Sequence, residues 1–173
     1  MDIISHGLWG GAALGRISRT NYLIAFGLSV LPDVLAEGVM FSLAFLELEG
    51  MPSLENGHPG IEDFPVYAQN FYNMSHSLPV FFVTFFIIWL VRKKPFYPLA
   101  AWAIHIIIDI PTHSLKLFPT PFLWPISGYR FDGISWDNPI IMIPNILLLS
   151  TVYCLWLYKK NRGIASLNRI SRN

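Results

Sequence analysis

The sequence predicts an all-α protein, an integral membrane bundle of about five helices folded as one domain over residues 1–173. Three observations carry this. Hydrophobic residues make up 53% and charged residues 13% of the chain, against about 25% charged in soluble domains. The apolar residues fall into five stretches near the roughly 20 residues that a bilayer core requires. No Pro/Gly/Ser-rich tract divides the 173 residues, about one domain's worth.

The five stretches are Ile3 to Gly15, Tyr22 to Leu46, Ser77 to Val91, Phe96 to Ile110 and Pro139 to Tyr158. The first is too polar and too Gly-rich for a cleavable signal and has no basic segment before it. Its Gly7, Gly11 and Gly15 recur every four residues, the small-residue spacing that lets another helix backbone approach closely. The second and fifth are long enough to span alone. The third and fourth are shorter and imply packing into a bundle.

Charge sets the expected orientation. Basic residues cluster at Arg16 and Arg19, at Arg92 to Lys94, and from Lys159 to Arg172. The connection after the second stretch carries Glu47, Glu49, Glu55, Glu62 and Asp63 without Lys or Arg. The positive-inside rule then places the basic clusters and the C-terminus in the cytoplasm, and loops 47–75 and 111–138 outside, as in a bacterial plasma membrane. With Lys and Arg totalling 12 against 11 Asp and Glu, no basic surplus exists to hold a nucleic acid.

A small set of ionisable residues interrupts this apolar pattern. His6 lies near the outer end of the first stretch. Asp33 follows the kink-forming Pro32 in the second, with Glu37 one turn later. His76 opens the third. His105 and Asp109 sit four apart on one face of the fourth, with His113 just beyond Pro111. Each costs about 2.5–3.5 kcal/mol at membrane depth unless it has a partner or a task. The one cysteine, Cys154, excludes a thiolate cluster. Imidazoles and carboxylates are the remaining ligands for Zn²⁺ and similar ions, and a divalent cation would neutralise two facing carboxylates. The pattern therefore points to a divalent metal, Zn²⁺ before others, held by His6, Asp33, His76, His105 and Asp109.

Simpler roles stand beside this one. Asp33 could cap a helix at the Pro32 break, and His105 with Asp109 could be a structural hydrogen bond. His6 could be a packing residue. Glu37 could support a ligand or face a water pocket. His58, in a Gly/Pro-rich loop, reads as solvated. Ser77 points away from its neighbour His76 and does not suit Ser-His catalysis.

The segment with His6, Leu31-Pro32-Asp33, Ser75-His76-Ser77, His105-Ile-Ile-Ile-Asp109 and Phe122-Leu-Trp-Pro125 together resemble the membrane-bound metal-dependent hydrolases related to the bacterial protein YdjM, over roughly residues 5–130. The ligand order is also similar to that of the zinc-dependent phospholipase C and P1-type nuclease fold, which is helical and hydrolyses phosphate esters. The resemblance implies one metal held by Asp33, His76, His105 and Asp109, and a second to which His6 and Asp109 contribute. Phe71 and Tyr72 stand where many family members carry His-Arg, and Ser75 replaces Thr. No His-x-x-x-Glu pair follows His113, so one or two ions are expected rather than three.

The chemistry expected of such a site is hydrolysis of a phosphoester, a phospholipid or another lipid-linked phosphate, by metal-activated water. Arg130 is the nearest basic residue of the outer loop to contact phosphate. His113 is the expected proton shuttle or extra ligand. Trp124, Tyr129 and Trp136 are placed as interfacial aromatics. The rival classes are an ion- or proton-coupled transporter, in which intramembrane Asp and His form a relay, and a membrane protein with a non-catalytic metal.

Overall fold

The computed structural model describes residues 1–39, 42, 45–46, 64–116 and 118–170, with side chains up to residue 161. The acidic residues Glu47, Glu49, Glu55, Glu62 and Asp63, together with His58 and Arg172, lie outside the described residues. Among the described residues the chain is all-helical, with no β-strand. Six α-helices follow in order: α1 Ile3–Leu14, α2 Arg19–Asp33, α3 Val66–Ser75, α4 Leu78–Arg92, α5 Ala100–Thr112 and α6 Pro139–Ile170.

Local chemistry explains most boundaries. Asp2 caps α1 by accepting from the Ser5 amide at 2.9 Å, and Gly15 closes it with a bond to the Gly11 carbonyl. Ser18 caps α2 through the Asn21 amide, so the helix starts three residues before the expected Tyr22. Pro32 lies inside α2 and removes one intrahelical donor. Just beyond this kink-forming residue the chain widens into a π-turn, Val34–Gly38. Most of residues 40–46 lie outside the described residues.

Helix α3 falls in what the sequence suggests is an outer loop. Its buried Ala68, Tyr72 and Ser75 recur at helical spacing, a short amphipathic pattern masked by a polar composition. Ser77 caps α4, and α3 and α4 meet at a bend of 63° with His76 and Ser77 in the elbow. Lys93, in the left-handed region at φ 57°, ends α4. The fourth expected stretch divides into a 3₁₀ turn, Tyr97–Leu99, and α5.

Helices α1 and α2 pack at nearly backbone contact. A Cβ on Gly10 would stand 2.5 Å from Ser29 Cβ and 2.9 Å from the Ala25 carbonyl, and Cβ atoms on Gly7 and Gly11 would stand 2.5 Å from the rings of Phe26 and Tyr22. A small apolar core of Phe81, Leu99 and Ile106 joins α4 to α5. Polar bonds join α6 to α1: Asn145 donates to Ser5 Oγ and accepts from Trp9 Nε1, each at 2.8 Å, and Tyr153 donates to the Leu8 carbonyl at 2.8 Å. The connection from α5 to α6 folds back over the elbow. Leu78 N donates to the Phe122 carbonyl, Ser77 Oγ to that of Trp124, and Gly133 N to that of His113.

Burial is inverted relative to a water-soluble globule. The fully buried side chains include His6, His76, His105, Asp109, Ser29, Ser77 and Thr120. More than half-exposed are Phe82, Val83, Phe86, Ile87 and Leu90 on α4, and Ile140, Ile143, Leu147 and Leu155 on α6. Exposed apolar faces of this extent mark contact with something other than water. Among the described residues one helix is long and apolar enough to cross a membrane: Pro139–Asn161 of α6, 23 residues at mean hydropathy 2.0. The bent pair α3 and α4 passes the same test together, which makes two. Helices α1, α2, α4 and α5, with 12, 15, 15 and 13 residues, are each too short to pass alone.

Because the Gly10 contact is with backbone and Cβ, it has no side chain that can swing away. Gly10→Ala is expected to cost about 1–3 kcal/mol by forcing α1 and α2 apart. Thermal unfolding of the purified protein checks this, and an unchanged midpoint would refute the close packing.

Candidate metal centre

Four elements deliver the ligands. Asp33 ends α2 just before the π-turn, His76 sits in the elbow between α3 and α4, and His105 and Asp109 are one turn apart on the buried face of α5. One ligand atom from each of these four residues lies within 4.8 Å of all the others. His105 Nε2 is 3.0 Å from Asp109 Oδ2, 3.1 Å from His76 Nε2 and 3.4 Å from Asp33 Oδ1. His76 Nε2 is 3.4 Å from Asp33 Oδ1 and 3.6 Å from Asp109 Oδ2.

The backbone decides which nitrogen of each imidazole faces inward. His105 Nδ1 is 2.7 Å from the Ser29 carbonyl, and His76 Nδ1 is 3.1 Å from the Tyr72 carbonyl and 2.9 Å from Ser75 Oγ. A carbonyl oxygen only accepts, so both Nδ1 atoms carry a proton, and in the neutral rings both Nε2 atoms present lone pairs. Two imidazole lone pairs and two carboxylates thus converge. Asp33 Oδ2 and Asp109 Oδ2 are buried without a hydrogen-bond partner. Among the described residues no Lys or Arg pairs with either aspartate.

This arrangement fits a divalent cation on its own chemistry. Tetrahedral Zn²⁺ with bonds of about 2.0–2.1 Å sets neighbouring ligand atoms about 3.3–3.4 Å apart. Five of the six separations run from 3.0 to 3.6 Å, and that between Asp33 and Asp109 lies within 4.8 Å. The simpler roles fit less well. Asp33 accepts no backbone amide and therefore does not cap the break, and His105 already spends its Nδ1 proton on Ser29. The Asp33 and Asp109 Oδ2 atoms, buried acceptors without a donor, are costly as they stand, and a cation would remove that cost.

The structure brings His6 and His113 to the same aspartate but outside the group of four. His6 Nε2 donates to Asp109 Oδ1 at 2.8 Å, and its ring stacks on His105 with centroids 3.7 Å apart. Its Nδ1 is buried without a partner. His113 Nδ1 lies 3.3 Å from Asp109 Oδ1 and donates to the Asp109 carbonyl at 3.2 Å. The amino group of Met1 also reaches Asp109 Oδ1, at 2.5 Å. Asp109 is thus the most heavily engaged carboxylate of the site, with Oδ2 turned to the four-ligand group and Oδ1 to His6.

A cavity of about 440 Å³ adjoins the ligands, lined by Asp33, Glu37, Tyr72, His76, His113 and Trp136 among others. His105 and Asp109 lie deeper. Arg130 is not among the lining residues: its guanidinium donates to the Pro119 carbonyl at 2.9 Å and to Asn73 Oδ1 at 3.3 Å, tying the long loop to α3. Of the expected interfacial aromatics, Trp136 lines the cavity and Tyr129 is exposed.

Sequence reasoning misses two contributors. Tyr72 stacks on His76 with centroids 4.2 Å apart, anchors Nδ1 through its carbonyl, and donates its hydroxyl to the Phe118 carbonyl at 2.6 Å. Ser29 donates to the His6 carbonyl at 2.7 Å and offers its own carbonyl to His105. The available signal for Ser29 is its place one helical turn before Asp33, on the same face.

No family model, curated protein or solved structure matches the chain.

Zn²⁺ or Co²⁺ binding to the purified protein, followed by equilibrium dialysis, is expected to be lost in His105→Ala and Asp33→Asn. His6→Ala removes a contact to Asp109 and is expected to weaken binding about 10–100-fold. Binding that survives both ligand substitutions unchanged would eliminate the site.

Proposed function

We propose that this protein is a membrane-embedded metal-dependent hydrolase whose substrate is a phosphoester, a phospholipid or another lipid-linked phosphate. The observation that carries this is the four-ligand cluster of Asp33, His76, His105 and Asp109 opening onto a cavity with apolar and titratable walls. The cluster would hold one divalent ion, Zn²⁺ first, with His6 and Asp109 available to a second.

Such an ion supplies Lewis acidity toward a water molecule and toward the oxygens of the ester. The protein does the rest. Asp33 and Asp109 offset the ion's charge, and the pinned imidazoles keep the ligand geometry from relaxing. Glu37 lines the cavity one turn beyond Asp33 and acts as proton acceptor from the attacking water. His113, with Nδ1 committed to the Asp109 carbonyl, offers its Nε2 lone pair to take up the proton that Glu37 removes from water and then passes that proton to the leaving group. Tyr72, Phe118 and Trp136 shape the apolar side of the cavity against a lipid chain. Arg130 holds the loop carrying Phe118 in place through Pro119.

Membrane embedding of the whole bundle belongs to this proposal. Its support is the exposed apolar face of α4 and α6 and a consistent polarity along the helices. In α1 the ligand-bearing His6 precedes Arg16. In α2 Arg19 precedes Asp33. His76 lies before α4 and Arg92 at its end, while Lys93 and Lys94 lie before α5 and Asp109 near its end. Each time the basic residues occupy the end away from the site. Residues 3–32, 64–108 and 138–173 contain no Asp or Glu at all. A metal centre near the outer surface of a bacterial plasma membrane, with the basic ends and C-terminus cytoplasmic, satisfies this segregation.

Hydrolysis of a chromogenic phosphodiester and of phosphatidylglycerol in detergent micelles tests the proposal. Chelation, His105→Ala and Asp109→Ala are each expected to abolish turnover, and Glu37→Gln to lower kcat by about 10²-fold or more with little change in KM. Turnover indifferent to chelation and to both ligand substitutions would reject the hydrolase; stoichiometric metal without turnover on any phosphoester would favour a non-catalytic metal protein.

A further inference from the structure

The end of the bundle opposite the metal centre holds a second cavity, also of about 440 Å³, lined by Arg16, Ser18, Arg19, Tyr22, Trp156 and Lys160 among others. Arg19 and Asp33 are fourteen positions apart on α2, which places this cavity about 21 Å from the ligands at ~1.5 Å per residue. It shares no lining residue with the first.

Its chemistry is that of an anion site. Three cations face one space, and no acidic residue lines it. Among the described residues Arg19 and Lys160 have no hydrogen-bond or ion-pair partner, and Arg16 uses only Nε, donating to the Ala12 carbonyl at 2.5 Å. The first turn of α2 borders the same space. Its Asn21 and Tyr22 amides are taken by Ser18, whereas the Arg19 and Thr20 amides have no intrahelical acceptor. Three exposed cations without an acidic partner, two amides without an intrahelical acceptor and the positive end of a 15-residue helix give this surface cavity a positive character.

The walls indicate where that charge resides. Tyr22 stacks on Trp156 with centroids 5.7 Å apart, and the Tyr22 hydroxyl donates to Tyr153 Oη at 2.8 Å, itself bonded to the Leu8 carbonyl. The aromatic pair is therefore fixed beside the cations. The apolar run of α6 ends at this level, with Lys159 and Lys160 directly after Leu157 and Tyr158. Aromatics beside cations at the end of an apolar helix are the composition of a membrane–water boundary.

We propose that this cavity binds a phosphate group, presented by the headgroup of an anionic lipid of the leaflet opposite the metal centre. The headgroup phosphate accepts from Arg16, Arg19, Lys160 and the free amides of α2, while Tyr22 and Trp156 flank the glycerol and upper acyl carbons. The assignment of the headgroup's source rests on membrane embedding; the phosphate chemistry does not. Resistance of the protein to carbonate extraction from membranes tests the embedding separately.

The test uses the full chain in detergent, with lipid binding read by native mass spectrometry against phosphatidylglycerol and phosphatidylcholine. The wild type is expected to prefer phosphatidylglycerol by about tenfold or more, and Arg19→Gln with Lys160→Gln to abolish the preference. Lys93→Gln with Lys94→Gln, which removes the same charge at the same end but outside the cavity, is expected to retain it. Zn²⁺ binding should be unchanged in both double variants. Competition by millimolar inorganic phosphate would identify the phosphate group itself as the recognised unit; binding of lipid without such competition would identify the headgroup with its acyl chains. No preference in the wild type, a preference surviving Arg19→Gln with Lys160→Gln, or an equal loss in the Lys93/Lys94 variant would overturn the proposal.

Discussion

The convergence of two imidazole lone pairs and two carboxylates on one buried point is the constraint around which this structure is arranged. Four acceptor groups within 4.8 Å of one another repel in the absence of a cation, and a low-dielectric interior intensifies that repulsion. What holds them together is backbone. The Ser29 and Tyr72 carbonyls fix the His105 and His76 rings at the far nitrogen, and neither carbonyl can be displaced without moving a helix. The Ser29 carbonyl reaches His105 because α2 sits close against α1, and that closeness depends on glycines. The Tyr72 carbonyl, which also accepts the His76 amide at 3.0 Å, comes within reach of the His76 ring because α3 ends there and the chain bends by 63°. Helix packing, a helix terminus and a π-turn thus all serve one set of atoms.

A second consequence is the placing of polarity inside and apolar surface outside. In water such burial would be opposed, because apolar groups remain exposed while titratable groups are desolvated. In lipid the balance changes: the outer faces of α4 and α6 lose nothing by exposure, and the interior polar groups gain from mutual satisfaction. The bonds of Asn145 and Tyr153 show the same economy, each joining α6 to α1 through polar atoms on an otherwise apolar helix. Among the described residues charge follows the same axis, with acids near the ligand end and most cations at the other. The two cavities are the two ends of that axis, one rich in acceptors and one rich in donors. On the proposals made above they would complement different ligands for that reason: a cation at one, a phosphate at the other.

What could be read from residues alone was the chemistry of the inventory. Asp33, His76, His105 and Asp109 stand out because ionisable groups are rare in apolar stretches, and that rarity is visible without coordinates. Helical character was legible from the length and apolarity of the stretches that hold α1, α4, α5 and α6, and the small-residue spacing of α1 announced a close helix contact. Helix α3 and the π-turn form of the break after Pro32 were harder to see. The first is short and polar, and the second depends on how a π-turn redistributes hydrogen bonds over several residues.

The role of each ligand-type residue, by contrast, was decided only by tertiary structure. His6, His113 and Arg130 are of suitable types and lie in suitable places along the chain, yet His6 and His113 attach to Asp109 from outside the group of four and Arg130 binds a loop carbonyl. The tautomers of His76 and His105 depend on carbonyls 4 and 76 positions away in sequence, which no side-chain pattern encodes. The sequence determined that imidazoles and carboxylates must find partners among apolar helices, because desolvation leaves them no alternative. Which atoms meet, and at what separation, was settled by how closely α1, α2 and α5 pack and by the angle between α3 and α4.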